Sequence, residues 1–345
     1  MRVPSVSFIL PVLNAAKLLP TCLESIRRLD YPADRYEILV ADGGSTDGTL
    51  DVVRHYGATL VDATGLLAEA AKHRAFERAT GDYLAMVDAD NEIAGTAWLR
   101  QATDALQKHP EALGFESYYL KHPDDSHLNR YMTGLLQISD PLARTLAGRL
   151  TPLSTDADGV ESFALPTDGS YPTGANGFLF RRDFLSRLAG KPYHEATFFP
   201  SLIREGRTQL IKRRGCGVYH HYVTGWRDLY RKKQRTAIHY LLRRAEVPES
   251  WDRDTPRARL WLGVLYHGTF IGPLTEGIIQ ACRQRDPEWL LHPFASLTCT
   301  LGNAVGMLKV RTSASREESA RRSMELQRQL GADATGPGAR KQGNP

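Results

Sequence analysis

Two carboxylates stand two residues apart at the end of an apolar run, where Tyr83–Val87 leads into Asp88-Ala89-Asp90. Acids so placed can share one hard divalent cation, Mg2+ or Mn2+, with the pyrophosphate it neutralises, because both ions suit oxygen ligands. Two acids at a turn also make an ordinary solvated loop, so the spacing alone does not decide. A third acid, Asp42, ends a different apolar run, Glu37–Ala41, and opens the segment Asp42-Gly43-Gly44-Ser45-Thr46-Asp47-Gly48. There a carboxylate can accept hydrogen bonds from a ribose or a base, while the glycines permit tight turning and close approach. The competing role is an Asx-turn and helix cap made by Asp42, Ser45 and Asp47. No G-x-G-x-x-G follows the first apolar run and no G-K-[ST] is present, which excludes the dinucleotide fingerprint and the P-loop.

The elements that must hold these acids follow from hydrophobic periodicity. Val6–Leu10, stopping at Pro11, reads as a first strand, and Leu18–Leu29 has helical spacing through Leu19, Cys22, Leu23, Ile26 and Leu29. Strands are expected at Glu37–Ala41, Ala58–Val61 and Tyr83–Val87, with helices at Thr49–His55, Ala68–Ala79 and Thr96–Lys108. This alternation predicts a doubly wound α/β fold, a mostly parallel sheet with helices on both faces. Ligands of such folds bind outside the carboxyl ends of the strands, where Asp42 and Asp88 both fall. Leu150–Pro172 reads as irregular, Asn176–Phe180 as a strand, and Phe184–Leu188 as helical. Gly217–Tyr222 is a short strand on which only one of His220 and His221 can face the site, because neighbours on a strand point to opposite sides.

Residues 5–225 resemble the GT-A glycosyltransferases of family 2. The resemblance is carried by Ile9-Leu10-Pro11-Val12-Leu13-Asn14, by Val40-Ala41-Asp42-Gly43-Gly44-Ser45-Thr46-Asp47-Gly48-Thr49, by Gly81-Asp82-Tyr83 with Val87-Asp88-Ala89-Asp90, and by Thr173-Gly174-Ala175-Asn176-Gly177-Phe178 before Arg181-Arg182. The order and spacing of these motifs are more specific than any one of them. What the resemblance implies is a nucleotide-diphosphate sugar donor, a divalent metal held through the D-x-D element, and inversion at the anomeric carbon. It assigns Asp42 to the nucleoside, Asp88 to the ribose or metal region, and Asp90 to the metal, with His220 approaching metal or diphosphate. Pro11, Asn14, Arg74 and Asn176 fall where the family contacts its donor or lines the donor and acceptor rim. Arg74 also suits a surface salt bridge, and Asn176 a purely structural role in its loop.

Inversion in one displacement needs a base on the acceptor hydroxyl. Family members usually carry a Glu-Asp pair followed by a helix that ends at Gly. Counting back from Gly206 brings Glu195 to the Glu position, but Ala196 stands where the Asp would be. Glu195 is the expected base, and His194 beside it is the alternative. A surface or helix-cap role for Glu195 remains open at this stage.

The whole chain has 345 residues, 42% hydrophobic and 24% charged, with a formal net charge of +5. Its Lys and Arg crowd positions 204–244. Such a region suits nucleic acid, a membrane surface or a phosphorylated substrate. No nucleic-acid fold accompanies the charge, so nucleic acid is not an expected partner. Trp226–Arg244 reads as a basic helix with Arg227, Arg231 and Arg235 on one stripe and Trp226, Tyr230, Ala237 and Leu241 on another. Apolar clusters follow in Trp261–Pro273, within a stretch Arg259–Ala281 of mixed character, and around Trp289–Leu297. These suit either an anionic membrane interface or packing on the catalytic domain.

Three segments are therefore expected: 1–225 catalytic, 226–311 a basic and apolar helical extension, partly amphipathic, and 312–345 a polar tail with a helix at Arg316–Leu330 and disorder after Gly331. Met1–Leu13 reads as a strand rather than a secretory signal, and no window has the roughly 18 apolar residues of a membrane span. The four cysteines, Cys22, Cys216, Cys282 and Cys299, lack paired ligand spacing and suit a reducing compartment. The expected location is cytoplasmic, peripheral at the inner face of the cell membrane, and the expected acceptor is a glycan or a polyprenyl-linked glycan in cell-surface polysaccharide synthesis. A sugar nucleotidyltransferase and a non-catalytic carbohydrate-binding protein are the competing classes. The former is disfavoured by Asn14-Ala15-Ala16-Lys17, where a glycine-rich loop ending in Arg and Lys belongs.

Overall fold

The computed structural model describes residues 2–137, 140–243, 252 and 255–311. The expected tail at 312–345 lies outside the described residues. The chain opens with β1 (Val6–Val12), α1 (Leu19–Arg27), β2 (Tyr36–Asp42), α2 (Thr49–His55), β3 (Thr59–Asp62), α3 (Ala68–Phe76) and β4 (Tyr83–Met86). These strands are mutually parallel in the order β3-β2-β1-β4, with Asp42 at the last register position of β2, opposite Val12. β1 continues past Pro11 to Val12, two residues beyond the expected stop. Only β2 still pairs with it there, since the β4 register ends at Ile9.

The alternation of β1 is legible in its packing. Val6, Phe8, Leu10 and Val12 enter one core with Leu19, Cys22, Leu23 and Ile26 of α1, whereas Ile9 enters a second core with Ala71, Ala75 and Phe76 of α3. Both faces are covered, so the strand reads as a continuous apolar run.

Beyond β4 come β5 (Asn91–Ala94), α4 (Trp98–Lys108), β6 (Gly114–Glu116), β7 (Tyr118–Leu120), α5 (His127–Arg130), α6 (Pro141–Ala147), β8 (Ser154–Thr155), β9 (Val160–Ala164), β10 (Phe178–Arg181), α7 (Glu195–Arg204), β11 (Gln209–Arg213) and β12 (Gly217–His220). The main sheet is completed as β4-β10-β6-β11-β9-β8, in which β10 and β9 run antiparallel to their neighbours. A second sheet, β5-β12-β7, stands beside it. The stretch Leu150–Pro172, expected to be irregular, instead holds the hairpin β8–β9 at the sheet edge. Its backbone partners come from β11, distant in sequence, which a local reading of Ser, Thr, Asp and Gly does not reveal. The helical turn expected at Phe184–Leu188 is a 3-10 helix over Arg182–Leu188.

The extension is all helical: α8 (Trp226–Arg243), α9 (Arg257–Gly268), α10 (Ile271–Gln284) and α11 (His292–Arg311). The doubtful stretch Arg259–Ala281 resolves into α9 and α10, broken at Thr269, whose backbone is extended. A third core, with Leu128, Tyr131, Met132, Val223, Leu229, Trp289, Ala295 and Cys299, ties the extension to the segment around α5. Lys233 of α8 enters this packing as a buried ion pair, 2.9 Å from Asp140 at the start of α6.

Candidate active site at the carboxyl edge of the sheet

The first wall of the site is the turn after β2. Oδ2 of Asp42 accepts from the backbone N–H groups of Gly44 and Ser45, both at 3.0 Å, which is the Asx-turn expected of these residues. Gly44 has φ +99°, a conformation that demands glycine. Oδ1 of Asp42 is buried and has no protein partner. One carboxylate thus makes the turn and still offers an acceptor, so the structural and the ligand-binding readings of Asp42 are compatible. A buried acceptor without a partner costs free energy unless a ligand or water satisfies it.

The same turn is stitched to the end of β1. The Asn14 N–H donates to Ser45 Oγ at 2.8 Å, and Asn14 Oδ1 accepts from the Thr46 N–H at 2.9 Å, with Asn14 itself at φ +51°. Asp47 accepts from the Thr49 and Ala16 N–H groups, at 3.0 and 3.1 Å. Asn14 is therefore a brace of the turn, and Pro11 lies one residue short of the strand end that the turn extends.

The second wall is Asp88-Ala89-Asp90 between β4 and β5. Asn91, almost wholly buried, shapes it: its Oδ1 accepts from the Asp88 N–H at 3.0 Å and its N–H donates to the Asp88 carbonyl at 3.0 Å. The pairing of β12 with β5 sets His220 opposite Asn91, and this register brings His220 Nε2 to 3.5 Å from Asp90 Oδ2. His221 turns the other way, to Asp125 at 2.9 Å and Glu92 at 3.3 Å, as alternation requires. The His220 ring lies between Tyr119 and Tyr222, with centroids at 5.4 and 5.3 Å.

The third wall is the start of α7. Glu195, its first residue, accepts an ion pair from Lys72 Nζ at 3.0 Å, and the same ammonium lies 4.0 Å from Asp88 Oδ1. Glu69, one helical turn before Lys72, accepts from the Glu195 N–H at 2.9 Å. Two residues of α3 thus hold Glu195 beside the D-x-D turn. His194 begins the helix and offers its carbonyl to the Thr197 and Phe198 N–H groups.

Burial raises the Glu195 carboxyl above the usual glutamate range; Lys72 opposes this, while Glu69 and Asp88 add to it. Burial likewise opposes the charge of Lys72, but Glu195, Asp88 and Glu69 outweigh it and keep the amine protonated. Burial lifts Asp88 as well, against the pull of Lys72 and with a push from Asp90. Asp90 goes the other way: burial works against its charge, yet the facing His220 prevails and holds it low. Adjacent carboxylates driven in opposite directions are typical of functional sites.

Beyond Glu195 opens a cavity of about 320 Å3, lined among others by Glu116, Tyr119, Thr173, Asn176, Glu195 and Lys212. Ala196 also lines it, so the departure from the Glu-Asp pair leaves a methyl group at this wall. Asn176 donates to the Tyr119 hydroxyl at 3.1 Å and keeps a buried, unpartnered Oδ1. Lys212 pairs with Glu116 at 2.6 Å, and Thr173 donates to the other Glu116 oxygen at 2.9 Å. The volume suits a small ligand, to which the lining offers several hydrogen-bonding groups.

Arg74 pairs with Glu77 at 3.4 Å; hydrogen bonds from Thr64 hold Asp62, at the end of β3, below its ordinary pKa, and the charge of Arg74 adds to them. Lys72, absent from the expected set, is the α3 cation that reaches Glu195. A signal for it existed: Lys72 falls on the buried stripe with Ala71, Ala75 and Phe76, and a lysine on such a stripe must be paired. Glu116 and Lys212 carried no such signal, because they meet only through the pairing of β6 with β11.

The donor set available to a divalent ion is Asp90 and His220, with Asp88 beside them. Among the described residues no three His, Cys, Asp or Glu side chains converge into a closed metal site. Oxygen-rich but incomplete, this set fits an ion whose shell is finished by phosphate oxygens, since Mg2+ is usually bound through one or two carboxylates plus substrate phosphates.

A mixed, mostly parallel sheet with acids at its carboxyl edge is typical of the GT-A fold. Residues 7–156 match the glycosyl transferase family 2 model. The glycosyltransferase AglE of Haloferax volcanii is 37% identical over 94 residues, covering 25% of this chain and 31% of its own. A PGL/p-HBAD biosynthesis glycosyltransferase of Mycobacterium tuberculosis is 31% identical over 115 residues, 32% of this chain and 44% of its own. The putative teichuronic acid biosynthesis glycosyltransferase TuaG of Bacillus subtilis is 30% identical over 158 residues, 43% and 61% of the two chains. The chain thus spans less than two thirds of the length of each of these relatives. Among solved structures, the mannosyltransferase PcManGT from Pyrobaculum calidifontis, in complex with GDP-Man and Mn2+, aligns with 90% of this chain and 88% of its own at a TM-score of 0.52. At 19% identity that likeness establishes the fold.

Proposed function

We propose that the protein transfers a sugar from a nucleotide-diphosphate donor to an acceptor hydroxyl with inversion, using Mg2+ or Mn2+. The observation that carries this reading is the convergence of Asp42, Asp88, Asp90 and Glu195 at one sheet edge, with Lys72 linking Glu195 to Asp88. Asp42 offers Oδ1 to the nucleoside, on a turn that Asn14 holds rigid. Asp90 and His220, with Asp88, would hold the divalent ion, which when bound would neutralise the growing charge of the leaving diphosphate. Glu195 faces the cavity and takes the proton of the acceptor hydroxyl; its raised pKa matches a base working near neutral pH. Lys72 keeps Glu195 ionisable in a buried setting, and Glu69 fixes its position through the backbone.

The acceptor in this reading is a glycan or a polyprenyl-linked glycan of the cell surface, handled at the cytoplasmic side of the membrane. Two of the relatives are named for PGL/p-HBAD biosynthesis and for teichuronic acid biosynthesis, and the hydrogen-bonding groups that line the cavity agree with a sugar acceptor. The test is a screen of nucleotide sugars with Mg2+ or Mn2+, reading the released nucleotide. Nucleoside diphosphate supports the proposal. Pyrophosphate release indicates a nucleotidyltransferase, and donor binding without turnover across many acceptors indicates a carbohydrate-binding protein.

A further inference from the structure

The helical extension buries one side and leaves the other apolar. Gly263 and His267 of α9, Pro273 and Gly277 of α10, and Ala295, Ser296 and Cys299 of α11 face inward. Outward stand Trp261 (69% exposed) and Leu265 (63%) on α9, Ile271 (76%) and Ile278 on α10, and Leu301 and Leu308 on α11. Rings join these helices into one surface: Phe270 meets Phe294 with centroids 5.0 Å apart, and Phe294 meets Trp226 of α8 at 6.5 Å. Water-soluble monomers seldom show contiguous apolar surface of this kind, and where they do it marks an interaction site.

Charge selects the occupant. Neither α9 nor α11 contains an acidic residue, and the only acid of α10, Glu276, turns inward to Arg144 at 3.0 Å and His292 at 3.3 Å. Cations frame the face: exposed Arg257 and Arg259 at the start of α9, Arg283 and Arg285 at the end of α10, and Arg227, Arg231 and Arg235 along α8. Residues 226–311 hold 14 Lys and Arg against 8 Asp and Glu, so this segment carries the positive charge of the chain. A second copy of the same face would bring like charges together across a two-fold interface. An anionic bilayer satisfies both features, because its headgroups attract the rim and its acyl boundary accepts the aliphatic and tryptophan side chains. Among the described residues no helix is long and apolar enough to cross a membrane, so contact is made along the surface.

We propose that the outward face of α9, α10 and α11 docks on an anionic lipid bilayer. The basic stripe of α8, singled out in the sequence, forms one border of that face rather than its centre. The inference extends the reading of a lipid-linked acceptor, but its test does not depend on catalysis.

The experiment is flotation of the full chain with vesicles of phosphatidylcholine alone or mixed with phosphatidylglycerol, at low and high salt. Wild type is expected to float with the mixed vesicles at low salt and to lose much of that binding at high salt. The double variant Trp261→Glu/Ile271→Glu should lose about tenfold or more of its bound fraction, since two inserted apolar groups become anions. Arg257→Glu/Arg259→Glu, with all apolar residues kept, should lose anionic selectivity; it serves as a second route if the first variant misfolds by circular dichroism. Leu153→Glu, at an exposed site before β8, should bind as wild type. Nucleotide release without vesicles should be unchanged in every variant, which separates failure of docking from failure of the enzymatic reading. Wild type that stays with the soluble fraction at low salt overturns the proposal. So does undiminished flotation of both double variants, or a concentration-dependent dimer abolished by the Trp261/Ile271 changes without any vesicle binding.

Discussion

The ammonium of Lys72 lies 3.0 Å from Glu195 and 4.0 Å from Asp88, so one buried cation bridges the expected base and the D-x-D turn. Its removal should register in the ionisation of Glu195. Activity that needs ionised Glu195 rises with pH through the pKa of that group, which burial holds above the ordinary glutamate range. Lys72 lowers that pKa, so Lys72→Met should move the acid limb of the kcat profile to higher pH and recover activity there. Glu69 raises it, so Glu69→Gln should move the limb to lower pH. Limbs that stay in place in both variants would remove Glu195 from the titrating role.

Glu195→Gln should keep donor affinity and lower turnover, because a base acts when the acceptor proton leaves. Proton transfer by a positioned group is worth about 10²–10⁴ in rate. A loss below about threefold, read from kcat with a working acceptor, shifts the role to His194 or another carboxylate.

Asp42→Asn should retain the turn, since an amide oxygen still accepts from the Gly44 and Ser45 N–H groups. The buried Oδ1 position would then present an NH2 to the nucleoside. Losing a charged hydrogen bond costs about 1.5–3 kcal/mol, so donor dissociation constants should rise about tenfold to a hundredfold. Calorimetric titration with nucleoside diphosphate reads this directly, and unchanged affinity would leave Asp42 a structural residue only.

Gly174 lies between Thr173 and Ala175, two residues of the cavity wall. Its φ is +108°, and an added Cβ would stand 2.0 Å from the Phe199 ring. Gly174→Ala should destabilise by about 1–3 kcal/mol from overpacking, with a further cost from the backbone. Gly215→Ala, at φ +77° with nothing within 4 Å, should bear the backbone cost alone. Equal melting temperatures for the two variants would show that Phe199 yields freely.

The parallel half of the fold was legible because β1, β2 and β4 are apolar runs covered on both faces, each ending in a turn that its own residues announce. Asp42, Asp88 and Asp90 were found by that logic, since a strand's end is a local property. The antiparallel half was less legible: β8 and β9 are short, polar at the edge, and defined by partners distant in sequence. Lys72 lay within reach of local reasoning, as a lysine on a buried stripe, whereas the Glu116–Lys212 pair depends on register between strands. The exposed apolar face of α9–α11 was visible as clusters of Trp, Leu, Ile and Phe. Which residues of those clusters turn outward depended on packing against Trp289 and α5.

The central claim is metal-dependent release of nucleoside diphosphate at the D-x-D turn, and a metal titration of that release in wild type and Asp90→Asn tests it most directly. The account predicts saturable dependence on Mg2+ or Mn2+ in wild type. In a variant that retains the wild-type circular dichroism spectrum, it predicts greatly weakened metal affinity and turnover. Unchanged metal dependence and rate in folded Asp90→Asn would contradict it.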